Sequence, residues 1–506
     1  MNIKRAKQEI KDTIAAYLMK DEFGAYAIPA IRQRPILLIG PPGVGKTQIM
    51  EQISQECQIG LVSYTITHHT RQSAIGLPFI EKKMYGGREY AVTEYTMSEI
   101  VAAIYNKIEQ TGMPEGILFI DEINCVSETL APTMLQFLQG KSFGNHKIPE
   151  GWIIVAAGNP PEYNKSVREF DIVTLDRIRS IQVEPDFDAW KEYAVQAGVH
   201  PAIRAYLNVR RQHFCRIETT VDGKLFATPR GWEDLSQLIE VYEKLAQKID
   251  RDVVMEYIQF PKIAKDFANY LELYYKYQND YQVDEILAGA IPQGALDKLE
   301  KAPFDERISV VGLLLSGLNE QFRNVCGMEE VLEMRMQKLR GLHAEGVFDA
   351  QTDTAAAIQA FADMLEAFCQ ERIKKQESGL LSRMELRRIL TVTAKLEEDL
   401  QSLRKAELSE AAAVWDLLRS RFAADSDQYE DLVDAAGEML EHAFDFMEAA
   451  FAGSQEMVLF VTELNTGFYS LRFLQEYECE RYYQYNKNLL FSDEEQEIGR
   501  LLREEH

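Results

Sequence analysis

The stretch Gly40-Pro41-Pro42-Gly43-Val44-Gly45-Lys46-Thr47 largely decides how this sequence is interpreted. It matches the pattern G-x-x-x-x-G-K-[ST], with an apolar run at residues 35–39 before it and a helix-compatible stretch at residues 48–53 after it. In such a strand–loop–helix setting, glycines let backbone N–H groups surround an anion at a helix N-terminus. Lys46 is then expected to reach the β- and γ-phosphates of a nucleoside triphosphate, and the Thr47 hydroxyl to bind Mg²⁺. Residues 40–47 therefore predict a triphosphate-binding loop.

A second apolar run, residues 116–120, ends in the carboxylates Asp121 and Glu122. Asp121 is predicted to hold the Mg²⁺ shell through water, and Glu122 to polarise an attacking water molecule. A base of this kind serves hydrolysis, whereas a small-molecule kinase finds its acceptor hydroxyl on the substrate. The pair therefore predicts a triphosphate hydrolase.

Three further polar residues follow in order along the chain. Asn159 follows a third apolar run, residues 152–157, and at a strand end it can reach the γ-phosphate or the water. The segment Gly158-Asn159-Pro160 is also an ordinary turn sequence, so this signal is weak by itself. Arg177 comes next, and Arg230 opens a helical stretch.

Taken in this order, the motifs resemble those of an AAA+ ATPase, and residues 1 to about 290 resemble the MoxR-type AAA+ ATPases. The resemblance is carried by "GPPGVGKT", "ILFIDEIN", "TLAPTMLQFLQ", "FGNHKIPEG" and "AAGNPP". It implies an α/β P-loop NTPase (AAA+) core with a parallel sheet, a helical lid, and ATP and Mg²⁺ as ligands. It also implies a homo-oligomeric ring, typically a hexamer, that acts as a chaperone on a protein client, often with a von Willebrand factor A domain protein as partner.

The resemblance also assigns roles to single residues. Residues 40–47 match its Walker A loop, and Asp121 and Glu122 its Walker B pair. Asn159 matches sensor 1 and Arg230 the sensor 2 arginine. Arg177 matches the arginine finger that reaches the neighbouring subunit, although Arg179 and Arg168 lie close enough in sequence to serve instead.

Two insertions and a thiol complete the motif region. The first insertion runs from His68 to Tyr90, with Gly86-Gly87 as a predicted hairpin turn, and the second covers residues 143–149. The His68-His69 pair has no Cys or third His at ligand spacing, so a metal site is not expected there. Cys125 stands where the family often has an arginine, and we expect this thiol to pack rather than react.

Composition and charge narrow the function classes. The chain has 506 residues and a net charge of −25, of which −18 lies in residues 301–506. This balance argues against nucleic-acid binding through a broad basic surface. Six scattered cysteines without C-x-x-C, no signal peptide and no apolar membrane span predict a cytoplasmic protein.

The chain is predicted to have three parts: an α/β nucleotide-binding domain at 1–185, a helical lid at 186–290 and an α-helical region at 291–506. Truncation near residue 300 is expected to leave a folded ATPase. In the last part, two segments carry mostly apolar residues at alternating steps of three and four, one at 358–368 and one at 386–403. Two such adjacent seams suggest a helical hairpin, although an ordinary helical bundle explains the pattern equally well. The second seam consists of Leu386, Ile389, Thr393, Leu396, Leu400 and Leu403.

Three other function classes fit the sequence less well than a client-remodelling ATPase. A nucleic-acid motor or replication factor would need a basic channel or a DNA-binding appendage, and neither is apparent. The segment Asn106-Lys107-Ile108-Glu109 resembles the guanine-reading N-K-x-D but ends in Glu and precedes the Asp121 strand, so a GTPase switch is not favoured. Intact Lys46, Asp121 and Glu122 argue against a non-hydrolysing scaffold.

Overall fold

The computed structural model of this chain describes residues 1–68, 76–143, 146–163, 167, 170, 172–221, 223–349, 352–406 and 408–487. The chain divides into two compact units. The first unit comprises Met1–Ala189, Thr228–Arg230 and Gln370–Leu386; the second comprises Trp190–Ala227, Gly231–Cys369 and Arg387–His506. The predicted boundary at 185 lies close to Ala189, whereas the predicted boundary at 290 falls inside the second unit. The three-domain division stays a prediction.

The strands, in chain order, are β1 Ile36–Ile39, β2 Gly60–Thr65, β3 Pro78–Tyr85, β4 Arg88–Tyr95, β5 Gly116–Asp121, β6 Ser142–Phe143, β7 His146–Lys147, β8 Trp152–Gly158, β9 Arg179–Gln182, β10 Arg216–Thr220 and β11 Gly223–Ala227.

The helices, in chain order, are α1 Ile3–Leu18, α2 Lys46–Cys57, α3 Glu99–Thr111, α4 Ala131–Gly140, α5 Ile172–Leu175, α6 Phe187–Ala197, α7 Pro201–Val209, α8 Pro229–Lys244, α9 Arg251–Tyr257, α10 Pro261–Asp280, α11 Val283–Leu287, α12 Gln293–Lys301, α13 Phe304–Ala344, α14 Thr354–Glu377, α15 Arg383–Lys405, α16 Ala411–Phe451, α17 Gln455–Thr466 and α18 Phe468–Glu476.

The first unit is built on a five-stranded parallel sheet with the order β2-β5-β8-β1-β9. Alternate residues of each strand face opposite sides, and helices cover both sides, so the strands are nearly continuous apolar runs. Leu118 and Ile154 lie in the core on one face, whereas Ile117 and Ile153 lie in the core on the other. Because β5, β8 and β1 are adjacent and parallel, their carboxyl ends meet at one edge of the sheet, where the predicted motifs lie.

The predicted hairpin around Gly86-Gly87 is confirmed. Strands β3 and β4 pair antiparallel, from Pro78 opposite Tyr95 to Tyr85 opposite Arg88. The short strands β6 and β7 also pair antiparallel, and they overlap the predicted insertion at 143–149. Residues 69–75 of the first insertion, like Gly144 and Asn145 of the second, lie outside the described residues.

The amphipathic segment at 97–108 forms α3, but its buried face is narrower than the periodicity predicts. Ile100, Val101 and Ile104 are fully buried. Met97 precedes the helix and is exposed, and Tyr105 is also exposed. The apolar spacing is therefore correct for a helix, while full burial is limited to Ile100, Val101 and Ile104.

A turn far along the chain, residues 378–382, belongs to the first unit. It ends α14 with Gly379 in the left-handed region and begins α15 with a capping box, in which Ser382 and Glu385 bond each other's backbone N–H groups. The carbonyl oxygens at the end of α14 accept hydrogen bonds from this unit's helices: Ser378 from Lys107 Nζ at 2.9 Å and Gly379 from Gln55 Nε2 at 3.4 Å. Residues 378–382 thus complete the α/β unit.

In the second unit, the lid helices do not stand apart from the C-terminal helices. Helices α7, α10 and α11 pack against the long α13, and α11 and α12 against α16. Phe267 and Leu271 of α10 are buried, and the Phe267 ring contacts Tyr206 of α7. The lid also contains the β10–β11 hairpin, where the sequence predicts only helix. The expectation that a chain cut near residue 300 keeps a complete core is not supported by this packing.

The predicted 3,4-spaced seam lies on α15, but the buried face is wider. Ile389, Thr393, Leu396 and Leu403 are buried, and so are Val392 and Asp399 outside the seam. The Asp399 carboxylate is fully buried and accepts from Arg335 Nη2 at 2.7 Å and Arg421 Nε at 2.6 Å. The 3,4 spacing overlooked this position because a buried charge with two ion-pair partners replaces an apolar contact. Helices α14 and α15 are consecutive across the turn at 378–382, as a helical hairpin requires.

None of the helices in the described part of the chain has both the length and the hydropathy needed to span a membrane.

Candidate active site

The phosphate loop lies between β1 and α2 in the first unit. Gly43 and Gly45 have φ values of 78° and 89°, the left-handed region that glycine adopts without strain. A Cβ added to Gly43 would lie 3.2 Å from Thr228 Cβ, so a side chain here would also be crowded. Helix α2 begins at Lys46, directly after Gly45. The loop therefore places the N-terminus of α2 where a phosphate group can bind.

Lys46 is buried, with 8% of its surface exposed. Its Nζ donates to Gly40 O at 2.7 Å, Pro41 O at 2.8 Å and Asn159 Oδ1 at 2.9 Å. Burial lowers the pKa of Lys46 to about 8, Asp121 opposes this shift, and nearby Arg230 adds to it. A bound polyanion would reverse this balance, because it adds negative charge beside the ammonium group.

Thr47 and Asp121 lie next to each other, as a shared metal requires. Thr47 Oγ1 donates to Asp121 Oδ2 at 3.0 Å, and the other carboxylate oxygen accepts from the backbone N–H of Glu122 at 2.9 Å. A hydroxyl and one carboxylate at the phosphate loop fit Mg²⁺, which keeps several waters and takes its other ligands from substrate phosphates. No cluster of three or more His, Cys, Asp or Glu residues suited to a metal occurs in the described part of the chain.

Glu122 has an unusual backbone and a specific partner. Its φ of 56° lies in the left-handed region, which costs a non-glycine residue roughly 1–2 kcal/mol. Its Oε2 accepts a hydrogen bond of 3.0 Å from Thr67 Oγ1, in the short turn that follows β2. The sequence did not point to Thr67, because only the pairing of β2 with β5 brings these residues together.

The backbone carbonyl of Asn159 is held by the Asn124 side chain. The Asn124 side chain is buried, and its Nδ2 donates to Asn159 O at 2.8 Å. A Cβ at Gly158 would lie 2.5 Å from Asn124 Oδ1, so the strand end and the amide side chain fit closely. Asn124 is a second residue that sequence reasoning missed. The sequence signal that could have indicated a role for Asn124 is its position two residues after Glu122.

Arg230 lies at the phosphate loop, although 183 to 190 residues separate it from residues 40–47 in sequence. Its Cβ is 3.4 Å from the position that a Cβ on Gly43 would occupy. The side chain is exposed, and its charge contributes to the lowered pKa of Lys46. Loop, carboxylates, Asn159 and Arg230 therefore converge within the first unit.

The arginines near residue 177 differ in their surroundings. Arg179 lies in β9, where its guanidinium group bonds Glu9 Oε2 at 2.6 Å and also Thr13 Oγ1. Arg177 lies in the exposed turn before β9, and its Nη1 donates to Gln139 Oε1 at 2.6 Å. Arg168 lies outside the described residues.

Two other features of the sequence, Cys125 and the guanine-like segment, have no catalytic role in this site. Burial and the nearby Glu122 and Asp121 raise the pKa of the Cys125 thiol, which keeps it protonated and unreactive. Lys107 of the guanine-like segment bonds the turn at Ser378 rather than facing the phosphate loop.

Comparison with known proteins agrees with this geometry. Residues 36–175 match the model of the AAA family, the ATPase family associated with various cellular activities. No curated protein sequence matches the chain. A solved structure of a RuvB mutant from Thermotoga maritima is similar over 51% of this chain and 69% of its own, with 17% identity and a TM-score of 0.28, too distant for any argument. The family match, the parallel five-stranded sheet and the assembled site together identify an AAA+ P-loop NTPase fold and make this chain an ATP hydrolase.

Proposed function

We propose that this chain is a MoxR-type AAA+ ATPase that assembles into a ring, such as a hexamer, and uses Mg²⁺-dependent ATP hydrolysis to remodel a protein client. The observation that carries the client class is the ribbon of strands β3 and β4. A von Willebrand factor A domain protein as partner is proposed from the sequence resemblance alone.

The ribbon exposes apolar side chains on both of its faces. Ile80 is 77% exposed and Met84 65% exposed on one face, while Phe79, Tyr85 and Tyr90 are exposed on the other. An isolated two-stranded ribbon buries little apolar surface, and concentrations of exposed apolar groups are typical of interaction sites. A partly unfolded protein segment offers the apolar side chains and free backbone groups that suit such a ribbon.

The site supports hydrolysis by the following division of labour. Lys46 and the N–H groups of the loop bind the phosphates, and Arg230 adds a second cation beside them. Mg²⁺, held by Thr47 and Asp121, would neutralise charge on the phosphate oxygens. Glu122 acts as base for the attacking water once its carboxylate leaves Thr67, and Asn159 orients the γ-phosphate or that water.

Charge favours a protein client over the alternative, a nucleic-acid motor. The net charge of −25 disfavours approach to a polyanion unless a basic channel compensates it. The ribbon carries Lys82, Lys83 and Arg88, but Lys82 pairs with Glu89 at 2.7 Å and Lys83 with Glu94. These pairs leave little free positive charge for phosphate groups.

The test is ATP turnover with added model clients. Unfolded, reduced casein is expected to stimulate turnover by the full chain, and single-stranded DNA is not. The double variant Ile80→Ser, Met84→Ser should lose the stimulation and keep basal turnover, while Lys82→Ser serves as the matched control on the same ribbon face. Stimulation by DNA and not by casein would instead support the nucleic-acid motor.

A further inference from the structure

The short turn after β5 carries both the predicted base, Glu122, and a buried amide, Asn124. The turn is closed by a hydrogen bond of 2.8 Å from the Cys125 N–H to Glu122 O. The Asn124 side chain is directed towards the neighbouring strand β8, where its Nδ2 donates to Asn159 O at 2.8 Å. The turn that carries the base is therefore bonded to the backbone of Asn159.

The end of β8 is also bonded to the phosphate loop. The Gly40 N–H donates to Gly158 O at 3.3 Å, and Asn159 Oδ1 accepts from Lys46 Nζ at 2.9 Å. Lys46 Nζ in turn donates to Gly40 O at 2.7 Å. Asn159 thus has one link to the phosphate loop, through its side chain, and one link to the turn of the base, through its carbonyl oxygen. Asn124 supplies the second link.

Gly158 and the Asn124 side chain fit each other closely. A Cβ added to Gly158 would lie 2.5 Å from Asn124 Oδ1, 2.7 Å from its Cγ and 2.9 Å from its Nδ2, and these are the three nearest atoms. The φ angle of Gly158 lies outside the left-handed region, so the backbone conformation does not require glycine here. Glycine at this position instead makes room for the amide that bonds Asn159 O.

We infer that Asn124 is a positioning residue for ATP hydrolysis, which holds Asn159 in register with the base Glu122. The inference rests on the division of labour proposed above, in which Asn159 orients the γ-phosphate or the attacking water and Glu122 polarises that water. Both side chains have to be in place at the same time, and a misplacement of about 1 Å can cost roughly 100-fold in rate. Without the Asn124 bond, Asn159 keeps its link to the phosphate loop and loses its link to the turn of the base.

The experiment measures phosphate release over a range of ATP concentrations, binding of a fluorescent ATP analogue and thermal melting, all with the full chain. Asn124→Ala should lower kcat roughly 10- to 100-fold, because Asn159 is no longer fixed relative to the base. Its affinity for the analogue should stay within about threefold of wild type, because the phosphate loop and Lys46 are unchanged. Its melting temperature should also fall, since the truncated side chain leaves a cavity.

A double variant separates positioning from packing. In Asn124→Ala, Gly158→Ala, the new Cβ takes the space that the amide has left, so part of the thermal stability should return. No donor faces Asn159 O, so kcat should stay low. Gly158→Ala alone, which displaces the intact amide, should lose kcat like Asn124→Ala. Recovery of kcat together with stability in the double variant would make Asn124 a packing residue and overturn the inference, as would failure of both Asn124 variants to fold.

Two further variants distinguish this inference from the proposed division of labour. Asn159→Ala should lower kcat about as much as Asn124→Ala, and the two losses should not add, because both act through one side chain. Wild-type kcat in Asn159→Ala would refute the proposed role of Asn159 and the inference with it. A low kcat in Asn159→Ala with wild-type kcat in Asn124→Ala would overturn the inference alone. Cys125→Ser, the matched control in the same turn, should keep kcat within about twofold of wild type; a loss as large as that of Asn124→Ala would assign the effect to the turn in general and also overturn the inference.

Discussion

Replacing Thr67 with valine is expected to raise the basal ATP turnover of this protein. In the structure, Thr67 Oγ1 donates to Glu122 Oε2 at 3.0 Å. This bond occupies a carboxylate oxygen that would otherwise be available to accept from the attacking water. Valine keeps the shape of threonine and removes the donor, so more of the Glu122 carboxylate becomes available to polarise water.

The size of the effect follows from the type and exposure of the bond. A hydrogen bond to a charged group contributes about 1.5–3 kcal/mol when well shielded. Thr67 is exposed and Glu122 half-buried, so water competes for both groups and about 0.5–1.5 kcal/mol is the more suitable range. Through the Boltzmann relation this corresponds to roughly a 2- to 10-fold gain in turnover, if release of Glu122 limits the rate.

The assay is steady-state phosphate release at saturating ATP, with binding of a fluorescent ATP analogue measured in parallel. Thr67→Val should increase turnover and leave nucleotide affinity within twofold of wild type. Thr67→Ser, which keeps the hydroxyl, is the matched control and should behave like wild type. A fall in turnover for Thr67→Val, with Thr67→Ser unchanged, would refute a restraining role and make Thr67 a positioning residue for the base.

Four other outcomes are expected. Lys46→Ala should abolish binding of the ATP analogue in a titration, whereas Glu122→Gln should retain ATP and stop turnover, and equal loss of binding in both would contradict the division of roles. Because the pKa of Lys46 is lowered to about 8 without nucleotide, ATP binding should take up a proton and weaken as pH rises above about 8, by up to roughly tenfold per pH unit, while Lys46→Arg should remove this dependence. Mixing Arg177→Ala with Glu122→Gln protein should restore part of the activity, and the same mixture made with Arg179→Ala should behave differently, since Arg179 bonds α1 and its loss should reduce stability. A chain ending near residue 300 should be insoluble, because the apolar faces of α7, α10 and α11 lose α13, and a soluble, cooperatively unfolding fragment in a thermal melt would show that the lid completes its own core.

The sequence by itself determined the parts whose structure and chemistry are local. Residues 40–47 form a phosphate loop because glycine spacing, a preceding apolar strand and a following helix are all written within about twenty consecutive residues. Asp121 and Glu122 follow a strand for the same reason, and the turn at Gly86-Gly87 needs only two adjacent glycines with positive φ. Amphipathic spacing predicted α3 and α15, although it misjudged Met97, Tyr105 and Asp399, because spacing describes which side chains share a face and not what covers that face.

Only the tertiary structure decided which distant groups meet. Thr67 reaches Glu122 because β2 pairs with β5, and Asn124 supports Asn159 because β5 pairs with β8; strand order depends on the whole core and is not encoded in either segment. The distinction between Arg177 and Arg179 likewise came from contacts, since two arginines two residues apart look alike in sequence, yet one bonds α1 and the other lies in the exposed turn before β9. The turn at 378–382 joins the α/β unit through carbonyl groups of Ser378 and Gly379. Such backbone acceptors are present in every residue, so no side-chain pattern could have marked them.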